Sequence, residues 1–401
     1  RPLNVDNQQF MKILHLITRL ILGGAQENTV LSCEGQHEAG HEVTLAFGPI
    51  YGPEGSLLDR VKAGGVRHEI IPSMKRSLDP LADWRCYRQC CELIDRLEPD
   101  VVHTHSSKAG IIGRYTAWER RVPCVVHTIH GLPFHPYQSW MKNRLYIASE
   151  RRAAARCHAI VCVADAMTRQ ALAAGVGRAG QFTTIYSGME VEQYTAAQGD
   201  GAAVRRELGI PDDAFVIGTV ARLAELKGHD DLLDVLPGLV EAEPRVRLLW
   251  VGDGWWRDRL VKRIEAMGLA NRVVLTGLVP AEQVPRYMRA MDLLAHPSYR
   301  EGLPRTVPQA LLCGTAVVAY DCDGAGEVCI DGQTGRLVPT GNTAALCEAL
   351  RWMMRNHAER AAITNRGHAM CIKMFDHRTM VSRLGALYRQ ILTEQANRGR
   401  Q

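Results

Sequence analysis

Ser298-Tyr299-Arg300-Glu301-Gly302-Leu303-Pro304-Arg305-Thr306-Val307-Pro308-Gln309-Ala310-Leu311 follows directly on the apolar run Leu293–Ala295. An apolar run of strand type, a glycine-bearing loop and a segment of helical spacing opened by proline make one βα unit. Proline is tolerated in a first helical turn because the N–H it lacks has no helical partner there. The same lack of partners leaves N–H groups around Gly302 and Leu303 able to hold phosphate oxygens. Glu301 stands just before the expected helix, which should start near Pro304, and Gln309 stands just over one turn inside it. The two can therefore grip different parts of one elongated ligand.

Working outward, the same alternation repeats. Strand-type runs are readable at 215–220, 247–251, 273–276 and 317–320, with helix-length segments between them and three helices at the end, 343–356, 358–375 and 377–394. In the first half the runs are 12–18, 42–47, 68–71, 101–103, 124–128, 159–163 and 183–186, with helices at 25–39, 81–97 and 141–156. Alternation of this kind predicts parallel sheets flanked by helices. Runs that are almost wholly apolar, such as Val101–His103, fit strands covered on both faces. The pattern lapses at residues 195–203, which are small, polar and aperiodic and read as an interdomain linker. The chain of 401 residues is long enough for two α/β domains, since single cores stop growing at ~250–300 residues. The expected domains are 11–195 and 207–376.

Composition narrows the function. Hydrophobic residues make up 46% and charged residues 23%, as in an ordinary globular protein. No apolar run reaches the ~18 residues of a spanning helix. Arg1–Phe10 is polar, reads as an extension ahead of the first strand, and lacks the basic-then-apolar order of an export signal. The 12 cysteines carry no C-x-x-C, which fits free thiols in a reducing compartment and a cytoplasmic location. The net charge of +5 is uneven: residues 75–160 hold 14 Lys and Arg against 8 Asp and Glu. That excess fits solvated helix faces, or a surface facing anionic lipid headgroups. The charges are not interleaved with aromatics as in a single-strand groove, so nucleic acid is not expected as a partner.

Two motifs are decoys. His37-Glu38-Ala39-Gly40-His41 matches H-E-x-x-H, but Ala39-Gly40 reads as a helix end and His41 as the entry to a strand, so the imidazoles should diverge. Gly175, Gly177 and Gly180 match G-x-G-x-x-G, but follow a helix instead of a strand and read as its terminator.

The remaining chemistry sits at strand ends. Gly23-Gly24 follows the first strand and opens the first helix, leaving room for a ligand beside the backbone. His103-Thr104-His105 and His127-Thr128-Ile129-His130-Gly131 bring several imidazoles to one sheet edge. Their spacing suits no standard metal site, so a hydrogen-bonding pocket is expected, with His130 its leading residue and no metal ion. Arg222 and Lys227 flank a strand-end loop, and two fixed cations can neutralise a diphosphate. Gly252-Asp253-Gly254 is a glycine turn where a nucleotide can approach the backbone.

In this order the motifs resemble the GT4 family of retaining glycosyltransferases, over nearly the whole chain after Met11. The resemblance is nearest to the branch that builds capsular, exopolysaccharide and lipopolysaccharide glycans. It implies a GT-B fold, two Rossmann-like domains facing across a cleft, with the last helix, about 377–394, crossing back to the first domain. It implies transfer of a hexose or N-acetylhexosamine from a nucleotide-diphosphate sugar, UDP- or GDP-linked, to a glycan or lipid-linked acceptor, without a cofactor. The enzyme would work at the inner face of the membrane, with peripheral contact. The implied catalytic residues are His130, Glu301, Arg222 and Lys227. The implied donor-binding residues are Gly23, Gly24, Gly252, Gly254, Gly302, Leu303, Pro304 and Gln309. One position departs: Gln309 stands where the family has a second glutamate for the ribose. It keeps a carbonyl acceptor and loses the charge. The rival readings are a nucleotide-sugar epimerase of the same fold and a non-catalytic sugar-nucleotide-binding protein.

Overall fold

The computed structural model of the chain describes residues 10–50, 55–77, 79–195 and 201–398. The expected extension at 1–10, Phe10 apart, and the centre of the expected linker, 196–200, lie outside the described residues. The chain forms two compact units, one of residues 1–189 and 377–401 and the other of residues 190–376.

The first unit carries β1 (Lys12–Ile17), β2 (Glu42–Phe47), β3 (Arg67–Ile70), β4 (Val101–His105), β5 (Cys124–Ile129), β6 (Ala159–Cys162) and β7 (Phe182–Thr184). They form one parallel sheet in the order β3-β2-β1-β4-β5-β6-β7. Every residue of β4 is buried, as in a central parallel strand covered on both faces. The last helix, His377–Arg398, packs on the helix Gly24–Glu38, so close that a Cβ on Gly35 would lie 2.7 Å from Val381 Cγ2. Its Met380, Leu384, Tyr388 and Ile391 join the core of this sheet.

The second unit carries β8 (Phe215–Val220), β9 (Val246–Val251), β10 (Val273–Leu275), β11 (Leu293–His296), β12 (Ala316–Asp321) and β13 (Arg336–Pro339), again parallel, in the order β10-β9-β8-β11-β12-β13. Its core runs through Trp250 and Tyr320, both wholly buried. β13 is absent from the sequence reading. It is a four-residue edge strand that starts with Arg and ends with Pro, too short and mixed for a periodic signal.

The linker expectation needs correction at its far end. Gly201–Glu207 is helical, and Arg205 bonds Asp292 Oδ2 at 2.8 Å and the Ala290 carbonyl. The Ala, Arg and Glu of this segment favour helix once that anchor holds. At its near end, Glu190–Thr195 groups with the second unit.

Both sheets reverse direction once. The chain builds β1, β2 and β3 outward, then returns to the other side of β1 with β4. It builds β8, β9 and β10, then returns to the other side of β8 with β11. In open parallel sheets, ligands bind beyond the carboxyl ends of the strands at such a reversal, because the two adjoining loops diverge there. Each unit therefore has one place prepared by topology.

Candidate active site

At the reversal in the second unit, the loop after β8 carries Arg222 to Gly228 and the loop after β11 carries Pro297 to Arg305. The two loops are tied by backbone. Tyr299 N–H donates to Leu226 O at 2.8 Å, and Ser298 Oγ donates to the same carbonyl at 3.0 Å. Gly228 makes the approach possible: its φ is +71°, and a Cβ there would lie 2.0 Å from Pro297 O. The result is an ion pair, Lys227 Nζ to Glu301 Oε1 at 2.6 Å, with side chains 26% and 16% exposed. His296 Nε2 lies 3.3 Å from the same oxygen. Burial opposes ionisation of Glu301, but Lys227 and His296 outweigh it and hold the carboxyl well below the usual range. Glu301 N–H donates to Asp323 Oδ2 at 2.7 Å, which fixes the loop from its other side. Arg222 stacks its guanidinium over Trp255, 5.6 Å from the ring centroid.

The helix after this loop is Thr306–Leu312, starting two residues later than the sequence implies, with Pro304 ahead of it. The amides of Gly302 and Leu303 form no hydrogen bond among the described residues, while Gly302 O accepts from Gly324 N. They remain donors on the loop that carries Glu301. Gln309 is buried, and its Nε2 donates to Tyr194 Oη at 2.7 Å.

Gly252 and Gly254 are each pressed against the loop after β8. A Cβ at Gly252 would meet Ala221 O at 2.1 Å, and one at Gly254 would meet Leu223 O at 2.3 Å. Their N–H groups are engaged by Gly277 O and Asp253 Oδ1. The glycines let the β9 loop close on the β8 loop, with both amides already hydrogen-bonded within the protein.

At the reversal in the first unit, Gly23 and Gly24 open the helix Gly24–Glu38. Gly23 is extended, with φ 173°, a conformation open to any residue. A Cβ there would meet only the end of the Gln26 side chain. Beside them the imidazoles form a connected set. His15 Nε2 lies 2.8 Å from Gln36 Oε1, His15 Nδ1 lies 2.9 Å from His105 Nε2, and His105 Nδ1 lies 3.0 Å from His130 Nε2. His103 is held by Tyr388 Oη at 2.5 Å and Thr128 Oγ1 at 2.7 Å, and His127 by Thr104 Oγ1 at 2.9 Å. Burial pushes His15 down to about 4 and His103, His105 and His127 well below the ordinary value. His15, His103 and His105 stand close enough to hold a metal ion. Yet each of their ring nitrogens already faces a hydrogen-bond partner, so the set is built as a neutral hydrogen-bonded chain. The sequence reading missed His15, Gln36 and Tyr388. The signal for His15 was a polar residue inside the apolar strand Lys12–Ile17; nothing in spacing links Tyr388 to His103.

The decoys resolve as expected. The helix ends at Glu38, Gly40 has φ +86°, and His41 precedes β2. Gly175 and Gly177, both at positive φ, follow the helix Asp165–Ala173.

Residues 22–193 match the family described as Glycosyltransferase Family 4, and residues 201–370 match Glycosyl transferases group 1. An Escherichia coli UDP-Gal:alpha-D-GlcNAc-diphosphoundecaprenol alpha-1,3-galactosyltransferase is 26% identical over 78% of this chain and 80% of its own length. The 2-deoxystreptamine glucosyltransferase of Streptomyces kanamyceticus is 30% identical over 60% of this chain and 65% of its own. The crystal structure of HepE from Anabaena in complex with UDP-glucose superposes with a TM-score of 0.81, at 24% identity, over 95% of this chain and 100% of that one.

Proposed function

Because the chain belongs to the GT4 glycosyltransferases, we propose that it is a retaining enzyme moving a hexose or N-acetylhexosamine from a nucleotide-diphosphate sugar, UDP- or GDP-linked. The acceptor is a hydroxyl of a glycan or lipid-linked glycan in cell-surface polysaccharide synthesis. The observation that carries this is the Lys227–Glu301 pair beside the free amides of Gly302 and Leu303 at the reversal of the second sheet. That corner offers a cation and N–H donors for a diphosphate, and a carboxylate acceptor for sugar hydroxyls. The galactosyltransferase relative, with its lipid-diphosphate acceptor, supports the acceptor class.

In the proposed reaction, the bond between the anomeric carbon and the phosphate oxygen lengthens first. The departing diphosphate gains negative charge, which Arg222 and Lys227 meet. The acceptor oxygen adds to the same face of the sugar, and its proton passes to the leaving phosphate. Glu301 turns from its lysine partner toward the sugar hydroxyls. These cations supply the role a divalent ion plays elsewhere, so activity is expected to survive excess chelator. Loss that magnesium or manganese restores overturns that expectation. A thermal-shift screen of nucleotide sugars identifies the donor: at 100 times its dissociation constant it adds ~2.7 kcal/mol. Incubating that donor alone, then with acceptor glycans, separates transfer from epimerisation.

The enzyme is further proposed to work from the cytoplasmic side, resting on anionic membrane through its first unit. Part of the basic excess is used internally, Arg114 on Glu150, Lys108 on Asp83 and Arg120 on Asp95. What supports the reading is the helix Trp140–Ala154, where Trp140, Met141 and Leu145 are 67%, 73% and 57% exposed beside Lys142 and Arg144. Exposed apolar residues beside cations suit a headgroup boundary. No helix among the described residues is long and apolar enough to cross a membrane. Sedimentation with anionic vesicles should exceed that with neutral ones and weaken with salt. Equal sedimentation with both sinks the proposal.

A further inference from the structure

Lys227 and Glu301 sit on loops that follow different strands, 2.6 Å apart. In the proposed reaction Lys227 turns to the diphosphate and Glu301 to the sugar hydroxyls. The ion pair therefore opens just when the spacing of the two loops matters, and it is not what holds them in register during transfer. Backbone supplies part of the tie, through Tyr299 N–H and Ser298 Oγ on Leu226 O. A buried carboxylate supplies another part.

Asp231 lies in the first turn of the helix His229–Ala242, which the chain enters from Lys227 across Gly228. The residue is buried. Its Oδ2 accepts from two phenols, Tyr299 Oη at 2.7 Å and Tyr320 Oη at 2.6 Å. Tyr299 stands on the loop after β11, separated from Glu301 by Arg300 alone, and Tyr320 stands near the end of β12. Both phenols are confined. Their rings meet edge to face with centroids 5.6 Å apart, and Tyr320 is wholly buried. On the other side, a Cβ on Gly341 would lie 3.4 Å from Tyr299 Oη. Burial, and then the Asp231 carboxylate, push the Tyr320 phenol well above its ordinary value, so it stays a donor. The first turn of a helix favours negative charge, and two O–H donors replace the water that Asp231 gives up. One oxygen thus joins three elements: the helix that follows Lys227, the loop of Glu301 and the neighbouring strand.

We propose that Asp231 is a positioning residue: through Tyr299 it holds the Glu301 loop in register with Lys227 after the donor has drawn their ion pair apart, and Tyr320 anchors the same carboxylate to β12. The consequence for turnover rests on the reading of Lys227 and Glu301 as the donor site; the tether itself does not. The two phenols donate to the same atom, but only Tyr299 belongs to the loop that carries Glu301. A carboxylate that served stability alone would be equally sensitive to the loss of either.

The test compares Tyr299→Phe with Tyr320→Phe in the full chain, since each removes one hydrogen bond to Asp231 Oδ2. Both should lower the melting temperature. Tyr299→Phe should also speed hydrogen exchange at the amides of residues 299 and 301, which donate to Leu226 O and Asp323 Oδ2. Its turnover should fall about three- to tenfold, as for the loss of one hydrogen bond. Tyr320→Phe, which leaves the Tyr299 bond in place, should change both readouts far less. In an Asp231→Ala background, Tyr299→Phe should add little to either effect, because the two changes break one bond. If Asp231→Ala does not fold, the two phenylalanine variants decide alone. Equal effects of Tyr299→Phe and Tyr320→Phe overturn the proposal, as does unaltered exchange in folded Tyr299→Phe. So does normal turnover of Tyr299→Phe while Lys227→Ala is crippled, or an undiminished Tyr299→Phe effect in folded Asp231→Ala. If Lys227→Ala and Glu301→Gln turn over normally while Tyr299→Phe still loosens residues 299 and 301, the tether stands and the donor-site reading falls.

Discussion

The two reversal points are built on one topology and filled with opposite chemistry. In the second unit, the loops deliver charge: Lys227 and Glu301 at 2.6 Å, with the carboxyl held ionised. In the first unit, β1 and β4 deliver neutral rings, His15, His103 and His105, held uncharged by burial, and hydrogen bonds link Gln36 through His15 and His105 to His130. Topology explains where each site lies and says nothing of its chemistry. That depends on which side chains the strand ends carry and on how far the core covers them. A departing diphosphate needs fixed charge, whereas neutral rings can orient a hydroxyl without competing for the anion.

The largest expected effect is at the charged corner. Lys227→Ala should lower turnover by ~10²–10³, equivalent to ~3–4 kcal/mol for one preorganised group that stabilises developing charge. It also leaves Glu301 without its cation, so a melting curve must accompany the assay. Glu301→Gln removes the pair from the other side and should keep Lys227 ready for phosphate. Near-normal turnover by folded Lys227→Ala means the diphosphate is held elsewhere, and the contrast between the units loses its charged half.

Acid should separate the units next. His15, His103, His105 and His127 bind protons more weakly folded than unfolded. Below the unfolded value of 6.5 the unfolded chain takes up more protons, so stability falls with pH from there toward about 4, the folded value for His15. By pH 5.5 each such ring has cost about 1.4 kcal/mol relative to alkaline conditions. In the second unit His229 behaves alike, lowered to about 4, but it is a single ring. The stabilisation from Glu301 is present above its ordinary value of 4.5 and is lost only as pH falls below that. Hydrogen exchange at pH 5.5 against pH 7.5 should therefore show β1, β4 and β5 opening before β8 and β11. Equal loss in both units would contradict the assignment of neutral rings to the first.

Much of this was readable in the sequence. Strands with apolar runs, such as Phe215–Val220, Leu293–His296 and Cys124–Ile129, carried their own signal, and the loops that follow them hold Arg222 and Lys227, Glu301, and His130 in turn. What escaped has a common physical cause. The partners of the chemical groups come from elements far away in sequence: Tyr388 from the last helix, Gln36 from the first, Asp323 behind the Glu301 loop. No spacing rule links them, because packing alone brings them together. Gly252 and Gly254 have a packing reason for being glycine that spacing does not show. A glycine that admits a neighbouring carbonyl looks the same in sequence as one that admits a ligand.

His130 should show a smaller loss than Lys227. If it offers one neutral hydrogen bond, His130→Ala costs ~1 kcal/mol, about fivefold in turnover. A loss as large as that of Lys227→Ala would mean that His130 carries charge or moves a proton in the rate-limiting step. The neutral character of the first reversal would then be wrong for its outermost ring. Comparing the two alanine variants at one saturating donor concentration decides this.

The smallest effect sharpens the charged half of the contrast. Gln309 is buried, with its amide donating to Tyr194. In Gln309→Glu a carboxylate replaces that donor, and the phenol can turn to donate to it, so the contact survives with its direction reversed. An ionised acceptor strengthens a ribose hydroxyl contact by ~1 kcal/mol, up to about fivefold in affinity. Repulsion from the donor diphosphate opposes this, and Arg222 and Lys227 offset part of it. The net expectation is tighter binding of the ordinary donor and no gain for its 2′,3′-dideoxy analogue, measured by titration of native protein, Gln309→Glu and Gln309→Ala. If Gln309→Ala binds the ordinary donor as tightly as the native protein, Gln309 serves Tyr194 and the core alone. The charged reversal then grips its ligand through the Lys227 and Glu301 loops without help from the helix that follows them.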